Sequence, residues 1–231
     1  MQMFLQRRLL RRAGTVVVLS DYVAARLREQ RLIDPQRLIV LSHPPFIFGP
    51  VPAAPRASGG PVRLLCFGRL LPYKGLDLLA SAMPQIKTDR EWLLRVVGSG
   101  PESPELAALR MIPGVTVENR WVPEDEIGEL IAWADVIVLP YREASQSGIA
   151  PSVIAAGRTV VATRVGGLSQ QLHDAPHTIL CEPDAANLAN ALHDVIDAPA
   201  NDSSGPGSDA RFAWRDMARQ LLDRASLRPA R

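Results

Sequence analysis

Cysteine is scarce in this chain of 231 residues: Cys66 and Cys181 are the only two, and each stands inside an apolar run. Two isolated thiols build neither a disulfide framework nor a zinc cluster, so both read as core residues of a protein in a reducing compartment. Charge imbalance is also missing. The 26 basic and 24 acidic residues leave a net charge of +2, which gives no broad electrostatic reason to expect nucleic acid. Any phosphate must be met locally. Long apolar runs are absent too: no stretch approaches the roughly 20 residues that span a bilayer, and the N-terminus lacks the pattern of a signal peptide. The expected location is the cytoplasm. The opening MQMFLQRRLLRR sets Phe4, Leu5, Leu9 and Leu10 against Arg7, Arg8, Arg11 and Arg12. Such an amphipathic helix either packs on its own domain or rests on the anionic inner face of a membrane, and both readings stand.

What the chain does have is apolar content, 47% of its residues, enough to bury a core for one domain or two small ones. A β-branched run at 15–19 ends at Ser20, a good N-cap for the helical pattern at 21–30, and a second apolar run follows at 38–41. The stretch SHPPFIFGPVPAAPRASGGP cannot continue a helix or a central strand, and it places a linker at 46–61. Beyond it, strand-like runs at 62–67, 92–97, 115–118, 136–139, 159–162 and 178–181 alternate with helical patterns at 76–83, 104–110, 125–133, 149–156 and 184–197. This alternation predicts an α/β fold, a Rossmann-like doubly wound parallel sheet covered on both faces. Ligands of such sheets bind beyond the carboxyl ends of the strands. A small-residue loop at 198–209 precedes a last amphipathic helix within 210–231.

Three strand ends carry candidate chemistry. The first gives GRLLPYKG, in which Gly68, Arg69, Lys74 and Gly75 lead into a helix. A guanidinium, an ammonium and free backbone N–H groups in one loop suit a diphosphate, although a solvated pair of cations fits the same letters. The second gives Gly98-Ser99-Gly100-Pro101, where glycine permits either close backbone approach to a ligand or a tight turn. It lacks the third glycine of a dinucleotide fingerprint, and Glu118 is the nearest acidic residue for a ribose. An NAD-dependent oxidoreductase rests only on the strand–helix alternation and that turn. The third gives Ser145-Gln146-Ser147-Gly148 ahead of a helix near Ile149. The amides of Gly148 and Ile149 can reach phosphate oxygens, while Ser147 and Ser152 serve equally well as capping residues. Glu143 is the one carboxylate there, placed for a sugar hydroxyl or simply for solvent. Gly166-Gly167 reads as a turn.

Taken in order, the segments LLCFGRLLPYKGLDLLASAM, RVVGSGPESPEL, VTVENRWVPEDEIGELIAWADVIVLPY and GRTVVATRVGG resemble the C-terminal domain of the GT-B retaining glycosyltransferases, the group of glycogen- and sucrose-synthase-like enzymes and mannosyltransferases. The resemblance divides the chain into the last strand and helix of an acceptor domain (1–45), a linker (46–61), a nucleotide-sugar donor domain (62–197), a flexible loop (198–209) and a C-terminal helix (210–231). It implies that Gly68, Arg69 and Lys74 meet the donor diphosphate, with Gly98 nearby, and that Trp121 and Val122 lie against the nucleobase. It puts Ser147, Gly148 and Ile149 under the phosphates and sugar, with Glu143 and Ser152 beside them. It implies hexosyl transfer from an NDP-sugar with retention, without cofactor or essential metal, and with an acceptor-binding N-terminal partner supplied from elsewhere. The family's usual glutamate pair is replaced, Ala144 and Ser152 standing at its positions, by a loop like Thr-Gln-Ser-Gly-Val; Gln170 stands where an acid is common. None of His43, His173, His177 and His193 falls where a catalytic base is expected. A non-catalytic nucleotide-sugar-binding subunit is the alternative that these departures motivate.

Overall fold

The computed structural model describes residues 2–46, 48, 60–198 and 210–226. Most of the expected linker and of the loop at 198–209 lies outside the described residues, as do the side chains of Phe4 and Leu5. The chain opens with helix α1 (Gln2–Arg12), strand β1 (Val16–Val18), helix α2 (Asp21–Glu29) and strand β2 (Leu38–Val40). β1 and β2 form a two-stranded parallel sheet. Ser20 caps α2 by accepting from the Val23 N–H at 3.3 Å. Arg7, Arg8, Arg11 and Arg12 of α1 are all exposed, and Arg37 donates from Nη1 to the carbonyls of Arg11 and Ala13, so a cation satisfies acceptors left open at the helix end. Among the described residues no helix is long and apolar enough to cross a membrane.

The second unit alternates without interruption: β3 (Val62–Phe67), α3 (Leu76–Ala82), β4 (Trp92–Gly98), α4 (Pro104–Arg110), β5 (Val115–Asn119), α5 (Glu124–Trp133), β6 (Val136–Leu139), α6 (Ala150–Ala155), β7 (Thr159–Thr163), α7 (Gly166–Leu172), β8 (Thr178–Cys181) and α8 (Ala185–Asp197). Its six strands are all parallel, in the order β5-β4-β3-β6-β7-β8. This is the expected doubly wound sheet. The chain winds outward from β3 to β5, returns to the middle at β6 and winds outward the other way. The order reverses between β3 and β6, and there the loops leaving the strand ends diverge and open a crevice.

The period-2 pattern of the strands divides the core. Leu64, Cys66, Leu94, Val96, Val138 and Val161 face one side, where they pack with Leu79, Leu106, Leu109 and Leu192 of α3, α4 and α8. Leu65, Val97, Ile137, Leu139, Val160 and Ala162 face the other, with Leu130, Ile131, Val153 and Leu168 of α5, α6 and α7. Both thiols are buried in the first cluster. Near-continuous apolar runs are what strands covered on both faces require, and each fully buried Leu or Val contributes about 1.5–3 kcal/mol.

One expectation needs correction. Gly166-Gly167 opens helix α7 instead of making a simple turn. A Cβ on Gly167 would lie 1.8 Å from Ser145 O, and one on Gly166 would lie 2.3 Å from Ala144 O. Glycine is needed there because the start of α7 presses on the loop after β6.

Helix α9 (Ala210–Ser226) returns to the first unit: Trp214 Nε1 donates to Pro45 O at 2.9 Å, and Arg224 Nη1 donates to Val40 O at 3.0 Å. The two units also meet directly, through Ser20 Oγ to Ser145 O (2.9 Å) and the Tyr22 N–H to Gln170 Oε1 (2.8 Å).

Candidate functional site

The crevice between β3 and β6 is built first from glycine. Gly68 ends β3 with φ 135° and Gly98 ends β4 with φ 152°, conformations that L side chains rarely adopt. They let the two strand ends touch, and Leu70 N–H then donates to Ser99 O at 2.9 Å. The loop continues through a tight turn, Pro72–Lys74, to Gly75 at φ 69°. A Cβ on Gly75 would sit 1.8 Å from Pro140 O, so only glycine allows α3 to start against the end of β6.

This frame delivers two cations to one side of the crevice. Arg69 is exposed, and its Nη2 donates to Tyr73 Oη at 3.0 Å. Lys74 is half-buried. Its Nζ donates to Tyr141 Oη at 2.6 Å and lies 3.8 Å from the centre of the Tyr141 ring. Burial lowers the Lys74 pKa to about 8, Cys66 opposes the shift, and the neighbouring Arg69 lowers it further. Tyr141 is buried, which pushes its phenol well above the usual range, so its hydroxyl keeps its proton.

The opposite wall is the loop after β6. Ser147 is buried, with Oγ 3.3 Å from Tyr141 Oη. Gln171 of α7 holds its backbone at both ends, accepting from the Ser147 N–H at 2.8 Å and donating to Ser147 O at 3.0 Å. Between the walls lies a cleft of about 580 Å³ lined by Arg69, Tyr73, Lys74, Glu143, Ser147 and Gly148, among others. A Cβ on Gly148 would meet nothing within 4 Å. Glu143 is exposed and also borders two further cavities, of about 540 and 330 Å³. Two cations, one carboxylate, a clamped serine and an open glycine suit a polyanion attached to a hydroxyl-bearing group.

The structure therefore brings together Arg69, Lys74, Glu143, Ser147 and Gly148, with Gly68 at their back. It does not bring the other candidates into this cleft. Gly98 packs on Gly68, where an added Cβ would lie 1.7 Å from the Gly68 carbonyl oxygen; close approach is needed here by backbone, not ligand. Ser152 is buried on α6 and its hydroxyl accepts from the Phe46 N–H at 3.0 Å. Ile149 packs on the second core cluster, and Val122 is part of that cluster. Trp121 is 80% exposed beyond the end of β5. Glu118 does not line the cleft and is paired with Arg95 and Arg120. His43 packs against Phe46 and Trp214.

Sequence reasoning missed Tyr73, Tyr141 and Gln171. Tyr73 stands between the two cations in GRLLPYKG, and Tyr141 directly follows the Leu-Pro that closes β6. Both were visible as polar-tipped rings at strand ends. Gln171 went unseen because its helix read as a turn.

The family profile of "Glycosyl transferases group 1" matches residues 61–198, more than half of the chain. The chain belongs to that family. It is similar to glycogen synthase of Mycobacterium tuberculosis, 32% identical over 153 residues, with 64% of this chain and 37% of that protein covered. It is also similar to D-inositol 3-phosphate glycosyltransferase of a Nocardioides species, 31% identical with 94% of this chain and 56% of that protein covered. Thus the chain spans between about a third and somewhat over half the length of these relatives. Among solved structures, sucrose-phosphate synthase from Thermosynechococcus elongatus superposes with a TM-score of 0.73 at 22% identity, covering 96% of this chain and 60% of that one. Anabaena HepE, solved in complex with UDP and glucose, gives 0.76 at 17% identity, covering 97% of this chain and 66% of that one. Both share the GT-B fold. Group 1 glycosyl transferase membership, with Glu118 already paired, leaves no support for an NAD-dependent oxidoreductase.

Proposed function

We propose that the cleft between β3 and β6 binds the diphosphate of a nucleotide-sugar, and that the chain is the donor-binding part of a retaining hexosyltransferase. The observation that carries this reading is the convergence of Arg69 and Lys74 with the Ser147–Gly148 loop on one cleft of about 580 Å³. The similarity to a fold solved with UDP and glucose supports it.

In this reading the bond between the anomeric carbon and the diphosphate oxygen breaks, and negative charge grows on that oxygen. Arg69 and Lys74 stabilise that charge, and they need no reorganisation because Tyr73 and Tyr141 already hold them. A bound diphosphate raises the Lys74 pKa and so keeps the ammonium charged at neutral pH. The acceptor hydroxyl replaces the nucleotide on the same face of the sugar and gives up its proton to the departing diphosphate oxygen as the new bond forms. Glu143 lies within reach of the sugar hydroxyls, and the exposed Trp121 ring supplies a stacking face for the base. The domain division, and an acceptor-binding N-terminal half supplied from elsewhere, are parts of the same proposal.

Thermal melting with UDP, GDP, ADP and their sugar derivatives tests it. A ligand at a hundred times its Kd adds about 2.7 kcal/mol, a rise of roughly 5–10 °C for a chain of this size. Arg69→Ala with Lys74→Ala should remove that rise. No stabilisation of the wild-type chain by any of these nucleotides overturns the reading.

A further inference from the structure

Lys74 and Lys87 are the only lysines among the 26 basic residues of the chain. Everywhere else a cation is arginine. Lys87 is exposed, whereas the lysine of the cleft is half-buried with its ammonium against the Tyr141 ring. A compact ammonium and a planar guanidinium are not interchangeable in such a contact. The contact joins residues 67 positions apart, one on the loop after β3 and one at the end of β6.

The polarity of the chain of contacts follows from its members. An ammonium only donates, so Tyr141 Oη accepts from Lys74 Nζ and its own proton is free for Ser147 Oγ, 3.3 Å away. Tyr141 is 1% exposed and Ser147 2%, so water is kept from the bond between those two. Thr163 Oγ1 donates to the Tyr141 carbonyl, and α7 fixes Ser147 through Gln171. Every member except the ammonium is locked by the fold.

We propose that Tyr141 is a positioning residue of the donor site, its buried hydroxyl setting the Lys74 ammonium of one wall at a fixed separation from the Ser147 loop of the other. This rests on the diphosphate reading of the cleft. Without the hydroxyl, Lys74 loses an acceptor that favours its charged form, and the ammonium is free to swing away from the phosphates. A neutral phenol thus tunes and aims the cation without touching the substrate.

Because only two lysines are present, trace acetylation followed by mass spectrometry reads their titration one by one. In the wild-type chain Lys74 should titrate near 8. In Tyr141→Phe, which keeps the ring and its packing, the Lys74 midpoint should fall by about half a pH unit or more, with Lys87 unmoved as the internal control. This arm needs no ligand. In the second arm, whichever of UDP, GDP and ADP binds the wild-type chain should bind Tyr141→Phe about tenfold more weakly, and the loss should vanish in the Lys74→Ala background. Ser147→Ala, which spares the core ring, should shift Lys74 in the same direction by less, and it carries the test if Tyr141→Phe does not fold. An unmoved Lys74 midpoint in the folded variant overturns the contact, and wild-type nucleotide affinity in Tyr141→Phe overturns its role in the site. If no nucleotide binds the wild-type chain, the donor reading fails, while the labelling arm still decides whether Tyr141 holds Lys74.

Discussion

Gly98 lies flat against Gly68, so close that a Cβ on the first would stand 1.7 Å from the carbonyl oxygen of the second. The two residues end neighbouring parallel strands, and their contact sets the path of the loop that carries Arg69 and Lys74. Gly98→Ala should therefore destabilise the fold by about 3 kcal/mol or more, since it adds a backbone collision to an unfavourable φ. Gly148→Ala faces open space and should leave stability within about 0.5 kcal/mol while weakening nucleotide binding. Denaturant melts of the two variants check the contrast. Equal stability losses would mean that the glycines serve one purpose.

Lys74 illustrates a conflict between stability and function. Its folded pKa, about 8, lies below the value of about 10.4 for an unfolded lysine. Between those two values the unfolded chain binds more protons, so this group makes stability rise as pH climbs from about 8 toward about 10. Below pH 8 the penalty for burying the ammonium is complete. Lys74→Met should accordingly raise stability at pH 7 by about 1–2 kcal/mol, after a discount for partial exposure and the lost Tyr141 bond. The advantage should shrink by pH 9.5, and nucleotide binding should be weaker than in the wild-type chain. A methionine variant less stable than wild type at pH 7 would show that the contacts with Tyr141 outweigh the burial cost.

Ser152 separates an anchoring role from a ligand role. Its hydroxyl accepts the Phe46 N–H, so Ser152→Ala should cost about 1 kcal/mol through the lost hydrogen bond and leave nucleotide affinity within about twofold of wild type. Unchanged stability with a tenfold loss of affinity would place Ser152 among the ligands instead.

Which features were legible in the sequence follows from the range of the forces involved. The strands were readable because Leu64 and Cys66 alternate with Leu65, and residues covered on both faces must be apolar throughout. Helix starts such as Asp184, which accepts from the Asn187 N–H, depend on residues only three apart. Arg69 and Lys74 were readable because a doubly wound sheet puts function at strand ends. Tyr141 was not, because its meaning lies in a partner 67 residues away. Helix α7 was misread because glycine signals both a turn and a close approach, and the carbonyls of Ala144 and Ser145 that demand the approach are remote in sequence. The partners of Ser152 and Glu118, Phe46 for the first and Arg95 and Arg120 for the second, were hidden for the same reason.

The last prediction concerns the far edge of the sheet, where the base is proposed to lie. Arg120 donates through Nη2 to Glu118 at 2.9 Å and through Nη1 to Glu126 at 2.8 Å, and its Nη1 also lies 3.4 Å from the Trp121 carbonyl oxygen. Burial alone would raise the Glu118 pKa, but the guanidinium groups of Arg95 and Arg120 outweigh it and hold the carboxyl below its usual range. Arg120 lowers Glu126 in the same way. Depressed carboxylates contribute stability above their unfolded value of about 4.3, and that contribution is lost as pH falls through the folded values. Arg120→Ala should thus melt a few degrees below wild type at pH 7, and the gap should close as pH is lowered toward 3. Loosening the Trp121 loop should also weaken the nucleoside diphosphate that binds while leaving inorganic diphosphate unaffected, because the cations of the cleft are untouched. Calorimetric titration with both ligands measures that difference, and equal losses for the two would move the base away from Trp121.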